Sequence, residues 1–263
     1  MKLKMYQVDA FTDGPFTGNP AAVVPLEAWL SDEVMQQIAE ENNLSETAFF
    51  VKEGDKYHIR WMTPEVEVDL CGHATLASAH VIWEYLDHPS DTLHLTCRVG
   101  DISVVKSELG YTLNFPTDQL TDRSELKEEV AQAIGVDVHE VLQGRNDLLA
   151  IISSEDELLS LQPNYAAVRA LKGRGLLVSA KGKDQYHFVS RGFFPQSGID
   201  EDPATGSAHT TLTPYWAKQL GQTHFKACQL SKRRGHFQCE LDGDRTLISG
   251  IAHLFMKGEI YVG

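Results

Sequence analysis

Apolar residues at Tyr6, Val8 and Ala10 alternate with polar Gln7 and Asp9, the period-two pattern of a half-buried strand, until Gly14-Pro15 ends it. After Gly18-Asn19-Pro20, the apolar run Ala21-Ala22-Val23-Val24 predicts a short strand. A helix comes next: Ser31 can cap it, Asp32 and Glu33 suit its first turn, and Leu30, Val34 and Ile38 give it one buried stripe. That pattern fades at Glu40-Glu41-Asn42-Asn43. The β-branched and aromatic content of Thr47 to Val51 then predicts a strand with Glu46 at its entrance.

Further alternation at Tyr57/Ile59/Trp61, Leu93/Leu95/Cys97, Ile102/Val104 and Tyr111/Leu113/Phe115 predicts four more strands. Between them, from about Gly72 to Leu86, Leu76, Ala79, Trp83 and Leu86 recur at helical steps, and Pro89 prevents continuation. The charged and polar stretch from Pro116 through Glu129 reads as a crossing between two domains. A second series follows, with helical material at Ser124 to Ile134 and around Glu155 to Leu171. Strand-like runs lie at Leu148 to Ile152, Leu176 to Ala180 and Tyr186 to Val189, and hairpins are expected after Phe225. Strands outnumber helices in both halves.

Composition narrows the function. With 263 residues, 42% hydrophobic and 23% charged, the chain can bury the core of one large domain or two ordinary ones. A formal charge of −14 disfavours nucleic acid and anionic membranes, which need clustered Lys and Arg. The basic triplet Lys232-Arg233-Arg234 precedes Gly235 and reads as a hairpin turn. Four cysteines without a CxxC pair, and no signal peptide or long apolar run, suit a reduced, soluble, cytoplasmic protein. Eleven scattered histidines form no metal motif and are expected mostly at the surface, so no metal is expected. Gly173 and Gly175 lack the third glycine of a dinucleotide loop, and a nucleotide site is not expected.

The two halves share a pattern. Gly72-His73-Ala74 and Gly206-Ser207-Ala208 lie 134 positions apart, each Gly preceded within four residues by an Asp (Asp69, Asp202) and followed fourteen residues later by a Leu (Leu86, Leu220). Pro214 falls inside the second helix, where it removes a hydrogen bond. A Gly opening a helix either permits a tight turn or leaves N–H groups free to hold an anion. Two such helix starts could grip a carboxylate or a developing enolate. Glu46 is then either the solvated start of a strand or a buried carboxyl that carries a proton beside that anion.

These stretches together resemble the PhzF-like (phenazine-biosynthesis) isomerase family, related in fold to diaminopimelate epimerase. The matching segments are VDAFTDGPFTGNPAAVV from Val8, SETAFF from Ser45, RWMTPEVEVDLCGHAT from Arg60, GIDEDPATGSAH from Gly198, and PYW from Pro214, in the family's order along the whole chain. The resemblance implies an α+β fold of two similar tandem domains, each a mixed β-sheet curled around a central α-helix, with the active site in the interdomain cleft. It sets the domains at 1–115, with a C-terminal return of about 252–263, and 116–251. It implies that Glu46 is the catalytic acid/base, with His73 and Asp202 relaying or positioning protons. Asn19, Gly72, Gly206 and Ser207 would bind a small anionic substrate, without cofactor or metal, in a homodimer.

Cys71 separates the alternatives. Diaminopimelate epimerase, similar around this CGH segment, opposes one thiol from each domain, whereas Ala204 and Thr205 occupy the corresponding place in the second half here. Thr75 stands where the phenazine enzyme has a proline, and together with Cys71 it points away from the phenazine precursor as substrate. The leading expectation is a cofactor-independent isomerase of a small, amino-acid-like carboxylate. An epimerase or racemase using Cys71 with Glu46, and a binding or regulatory protein without chemistry, are the alternatives.

Overall fold

The computed structural model describes residues 1–263. The chain forms β1 (Lys2–Thr12), β2 (Asn19–Leu26), α1 (Asp32–Asn42), β3 (Glu46–Glu53), β4 (Lys56–Met62), β5 (Glu67–Val68), α2 (Gly72–Tyr85), β6 (Thr92–Cys97), β7 (Gly100–Ser107) and β8 (Gly110–Pro116). It continues through β9 (Thr121–Asp122), α3 (Lys127–Ile134), β10 (Glu140–Gln143), β11 (Leu148–Ile151), α4 (Glu155–Ser160), α5 (Tyr165–Ala170), β12 (Leu176–Lys181) and β13 (Phe188–Phe193). It ends with α6 (His209–Leu220), β14 (His224–Gln229), β15 (Gly235–Asp242) and β16 (Arg245–Tyr261). Two compact units result, one of Met1–Asn114 with Ser249–Gly263, the other of Phe115–Ile248. No helix is long and apolar enough to cross a membrane.

In the first unit the strand order is β1-β2-β3-β4-β6-β7-β8, with β16 hydrogen-bonded to β8 and, over Ile251–Tyr261, to β1. Most neighbours are antiparallel, but β2 and β3 run parallel, linked by α1, and so do β4 and β6, linked through α2. Ser31 caps α1 by accepting from the Val34 amide, and Asn43 ends it in the left-handed conformation. The apolar side of α1, Met35 and Ile38, packs with Val24, Phe49 and Met62. Helix α2 differs from the single stripe expected of it. It lies against β1, β2 and β3 and is buried over nearly its whole circumference, from Gly72 through Ala79 and again at Val81, Ile82 and Trp83. Ala74, Ala77, Ser78 and Ala79 are small enough to let strands approach on several sides, which is why an almost uniformly apolar helix suits this place.

In the second unit the order runs from β9 through β10, β11, β12, β13, β14 and β15 to the start of β16. Parallel pairs β11–β12 and β13–β14 interrupt an otherwise antiparallel pattern. One continuous core joins Val130, Ile134, Leu148, Leu158, Val178 and Phe193. The helical stretch expected around Glu155 to Leu171 is two short helices, because Pro163 lies between them and cannot donate into a helix. The strand expected at Tyr186 to Val189 begins at Phe188 and continues to Phe193. Lys232-Arg233-Arg234 lies in the turn between antiparallel β14 and β15, with the Arg234 amide donating to the Ser231 carbonyl.

Pro214 does interrupt α6, and the structure shows how the interruption is satisfied. The carbonyl of Thr210, four residues earlier, has no proline amide to accept from and takes the Asp118 amide at 3.1 Å instead. The Asp118 carboxylate in turn accepts from the Thr211 hydroxyl at 2.7 Å and the Arg145 amide at 3.2 Å. The polar segment after Pro116 is therefore a brace for α6.

Candidate active site

Three local features bring polar side chains to one end of the first unit. Parallel strands β2 and β3 start level with each other, Ala21 pairing with Glu46, so Asn19 and Glu46 stand at the entrances of adjacent strands. The Asn42 side chain donates to the Thr47 hydroxyl at 3.1 Å, tying the end of α1 to the start of β3. Ahead of β2, Gly18 has φ +73°, and a Cβ there would lie 2.4 Å from the Ala10 carbonyl oxygen. Only glycine allows β1 and the loop to close this tightly before Asn19.

The first turn of α2 arrives at the same end. Cys71 precedes the helix in an extended conformation, and its carbonyl accepts the Thr75 amide at 3.1 Å. Its approach is fixed by β5, where Glu67 takes both the Nε and the Nη2 of Arg60, at 2.8 and 2.7 Å. The Arg60 guanidinium holds the Glu67 carboxyl below its ordinary range. In any α-helix the first amides find no acceptor within it, so the start of α2, at Gly72, His73 and Ala74, suits negative charge.

His73 is the hub. Its Nε2 lies 3.2 Å from Glu46 Oε2, with side chains 6% and 13% exposed, an ion-pair distance set off the axis of a well-formed hydrogen bond. Its Nδ1 lies 3.3 Å from Asn19 Nδ2 and 3.5 Å from Cys71 Sγ. With the Asn19 amide donating, Nδ1 is the acceptor and the ring proton sits on Nε2, facing Glu46. A carboxylate and an imidazole in contact, nearly out of water, form a pair between which one proton can be held and moved. Glu46, Cys71 and His73 each offer a donor atom within 4.8 Å of the others, but Cys71 and Glu46 lie against opposite nitrogens of the His73 ring, whose lone pairs diverge, so the set as placed does not fit one metal ion.

The second unit holds the remaining expected residues in two neighbouring arrangements. Asp202 is buried, and its carboxylate accepts from the Thr205 hydroxyl while its carbonyl accepts from Gln229 at 2.7 Å. Gly206 and Ser207 lie in a 3-10 turn, and the α-helix begins two residues after Ser207, at His209. The reason is local: the Thr205 carbonyl that would accept the His209 amide in an α-helix takes the His209 ring at Nδ1 (3.1 Å) and the Ala208 amide (3.3 Å). The His209 amide turns to Gly206 and Ser207 instead. Ser207 Oγ accepts from Arg174 Nη2 at 3.1 Å, which leaves its own proton to donate elsewhere. Arg174 is held by the buried carboxylate of Asp147 through two hydrogen bonds.

Asn19, Glu46, Cys71 and His73 thus converge, with Gly72 between the last two. Asp202 and Ser207 stand four loop residues apart, Asp202 bonded to Thr205 and Gln229 and Ser207 to Arg174. The repeated Asp is not a structural repeat, since Asp69 is exposed and pairs with Arg98 at 3.0 Å whereas Asp202 is buried. Surface placement also fails for two histidines. His73 is buried in the site, and His209 is fully buried against Phe237, where loss of hydration pushes its imidazole down to about 4. Sequence reading missed Arg174, Asp147 and Gln229. Only the polar character of Asp147 just before the apolar run of β11 hinted at a buried carboxylate.

The chain matches the phenazine biosynthesis-like protein family over residues 8–258. An uncharacterised isomerase of Pseudomonas aeruginosa is 46% identical over 262 residues, covering 100% of both chains. The crystal structure of a PhzF-family phenazine biosynthesis protein from Enterococcus faecalis is 47% identical and covers 100% of both chains, with a TM-score of 0.94. A hydroxyproline epimerase of Agrobacterium vitis, 10% identical, is similar in fold with a TM-score of 0.60, over 98% of this chain and 92% of its own.

Proposed function

From the premise that this chain belongs to the phenazine biosynthesis-like (PhzF) family, we propose that it is an isomerase moving a proton between carbon positions of a small carboxylate-bearing, amino-acid-like substrate. The observation that carries this reading is the contact of Glu46 with His73 in a nearly water-free pocket of polar groups. Glu46 takes the proton from carbon and returns it to another carbon of the same molecule. His73, oriented by Asn19, donates toward the Glu46 carboxylate and tunes how readily it gives up its proton. The first-turn amides of α2, from Gly72, favour the negative charge that develops on the substrate. Asp202, Gly206 and Ser207 are assigned to substrate holding and proton positioning on family resemblance. The Ser207 hydroxyl accepts from Arg174 and keeps its own proton to donate, which supports that assignment. The same resemblance supports a homodimer, and four cysteines without a disulfide suit a reduced cytoplasmic setting.

The test is deuterium incorporation from heavy water into a panel of amino acids and cyclohexadiene carboxylates, followed by NMR. Wild-type exchange lost in Glu46→Gln and retained in Cys71→Ser supports the reading. A second reading, an epimerase working through the thiol, is favoured by one observation, the 3.5 Å contact of Cys71 Sγ with His73 Nδ1. The reverse pattern of the two variants selects it. A ligand that binds without any exchange would identify a binding protein instead.

A further inference from the structure

We infer that Arg174 is a positioning residue for the substrate carboxylate, acting through Ser207: it fixes the Ser207 hydroxyl as a hydrogen-bond donor and makes that part of the site specific for an anionic acceptor. The inference rests on the reading that Ser207 holds the substrate. The Ser207 oxygen accepts from Arg174 Nη2 at 3.1 Å. A hydroxyl that accepts from a cation turns its own proton away from that cation, and the bond it then donates is polarised by the one behind it. A carboxylate is the partner such a hydroxyl holds most strongly, because the bond becomes charge-assisted. An ammonium group, which needs a lone pair, would instead compete with the guanidinium for the same oxygen.

The Gly173-Arg174-Gly175 loop is built to hold this geometry. Gly173 has φ +136°, a conformation that side chains rarely adopt, and the Arg174 amide donates to the Asn146 carbonyl at 2.8 Å. The Gly175 carbonyl accepts the Leu148 amide at 3.0 Å, and a Cβ at Gly175 would run into the Phe194 ring. The backbone on either side of Arg174 is thus tied to the residues on either side of Asp147. Their side chains meet as a result. Asp147, 3% exposed, takes both Nε and Nη2 of Arg174, and the guanidinium carbon lies 5.4 Å from the Phe194 ring centroid. Because Nη2 serves Asp147 and Ser207 together, the planar fork fixes the direction from which Ser207 is approached. The Arg174 side chain keeps 37% of its surface exposed, so a small solute can reach this place from solvent.

Carboxylate binding tests the role without any turnover. The full-length protein is titrated with a cyclohexadiene carboxylate and with the matching carboxamide, and Kd is read from amide shifts in proton–nitrogen NMR spectra. The wild type should prefer the carboxylate. Ser207→Ala should weaken carboxylate binding by about 10-fold or more, and carboxamide binding by less. Arg174→Lys keeps a cation beside Asp147 but loses the planar fork; it should weaken carboxylate binding by about 5-fold alone and by less than about 2-fold in the Ser207→Ala background. Circular dichroism establishes that each variant is folded. If Arg174→Lys is not, Arg174→Met combined with Asp147→Asn replaces it, since that pair leaves no buried charge alone. Losses that add in the two backgrounds, a preference for the carboxylate that survives in the Arg174 variant, or a wild type that binds no carboxylate overturns the positioning role. Carboxylate binding with the expected pattern but without deuterium exchange sinks the isomerase reading alone and leaves the role of Arg174 standing.

Discussion

His209 should make the second unit acid-sensitive, and the size of the effect follows from its burial. The imidazole has no exposed surface, packs 3.8 Å from the Phe237 ring centroid, and donates Nδ1–H to the Thr205 carbonyl. Its Nε2 has no hydrogen-bond partner, so a second proton there would place a charge in an apolar pocket. Burial outweighs the backbone hydrogen bonds, which act the other way, and lowers the pKa from 6.5 to about 4. This is a base whose folded pKa lies below its unfolded value. Between those two pH values the unfolded chain binds the extra proton, so stability is full above about pH 6.5 and falls as pH drops. The loss amounts to about 2 kcal/mol at pH 5 and levels off near 3 kcal/mol below pH 4. His209→Phe keeps the ring volume and removes the titration. Urea unfolding followed by circular dichroism at pH 7.5 and pH 5.0 should show the wild type losing about 2 kcal/mol more than the variant over that interval. Equal losses in the two proteins would refute the claim that His209 is held neutral.

Three further outcomes follow from the geometry. Gly18→Ala combines a left-handed φ with a Cβ 2.4 Å from the Ala10 carbonyl, so it should lower the unfolding free energy by about 1–3 kcal/mol and, by moving Asn19, reduce kcat; a fully stable variant would show the loop to be slack. Asp118→Ala removes the acceptor for Thr211 and the Arg145 amide and should cost about 1–3 kcal/mol, with amide hydrogen exchange in α6 rising more than in α2; uniform change across both helices would contradict the brace at Pro214. His73→Gln should lower kcat by about 100-fold or more while circular dichroism stays unchanged, and a loss confined to KM would make His73 a binding group rather than a proton partner.

Much of this was legible along the chain. Period-two alternation marked β1, β4, β6 and β8 because each shows one face to a core, and Ser31 announced α1 through the capping chemistry of its own hydroxyl. What failed did so where burial is decided by distant segments. Nothing in Gly72–Tyr85 says that β1, β2 and β3 surround it, so its small residues read as an ordinary amphipathic face. Pro214 read as a defect because Asp118, which supplies the missing donor, is almost a hundred residues away.

The candidate site divides along the same line. Residue types and motif order were enough to single out Asn19, Glu46, His73, Asp202 and Ser207, because chemistry depends on which groups a chain carries. Their pairing was a tertiary outcome. Glu46 gains His73, 27 positions later, only when β3 starts beside β2 and α2 packs its first turn over that end. Arg174, held by Asp147, reaches Ser207 only because the second unit's loops meet. Local sequence sets backbone preference and side-chain chemistry, while the distance between two side chains is set by packing, and proton transfer depends on that distance.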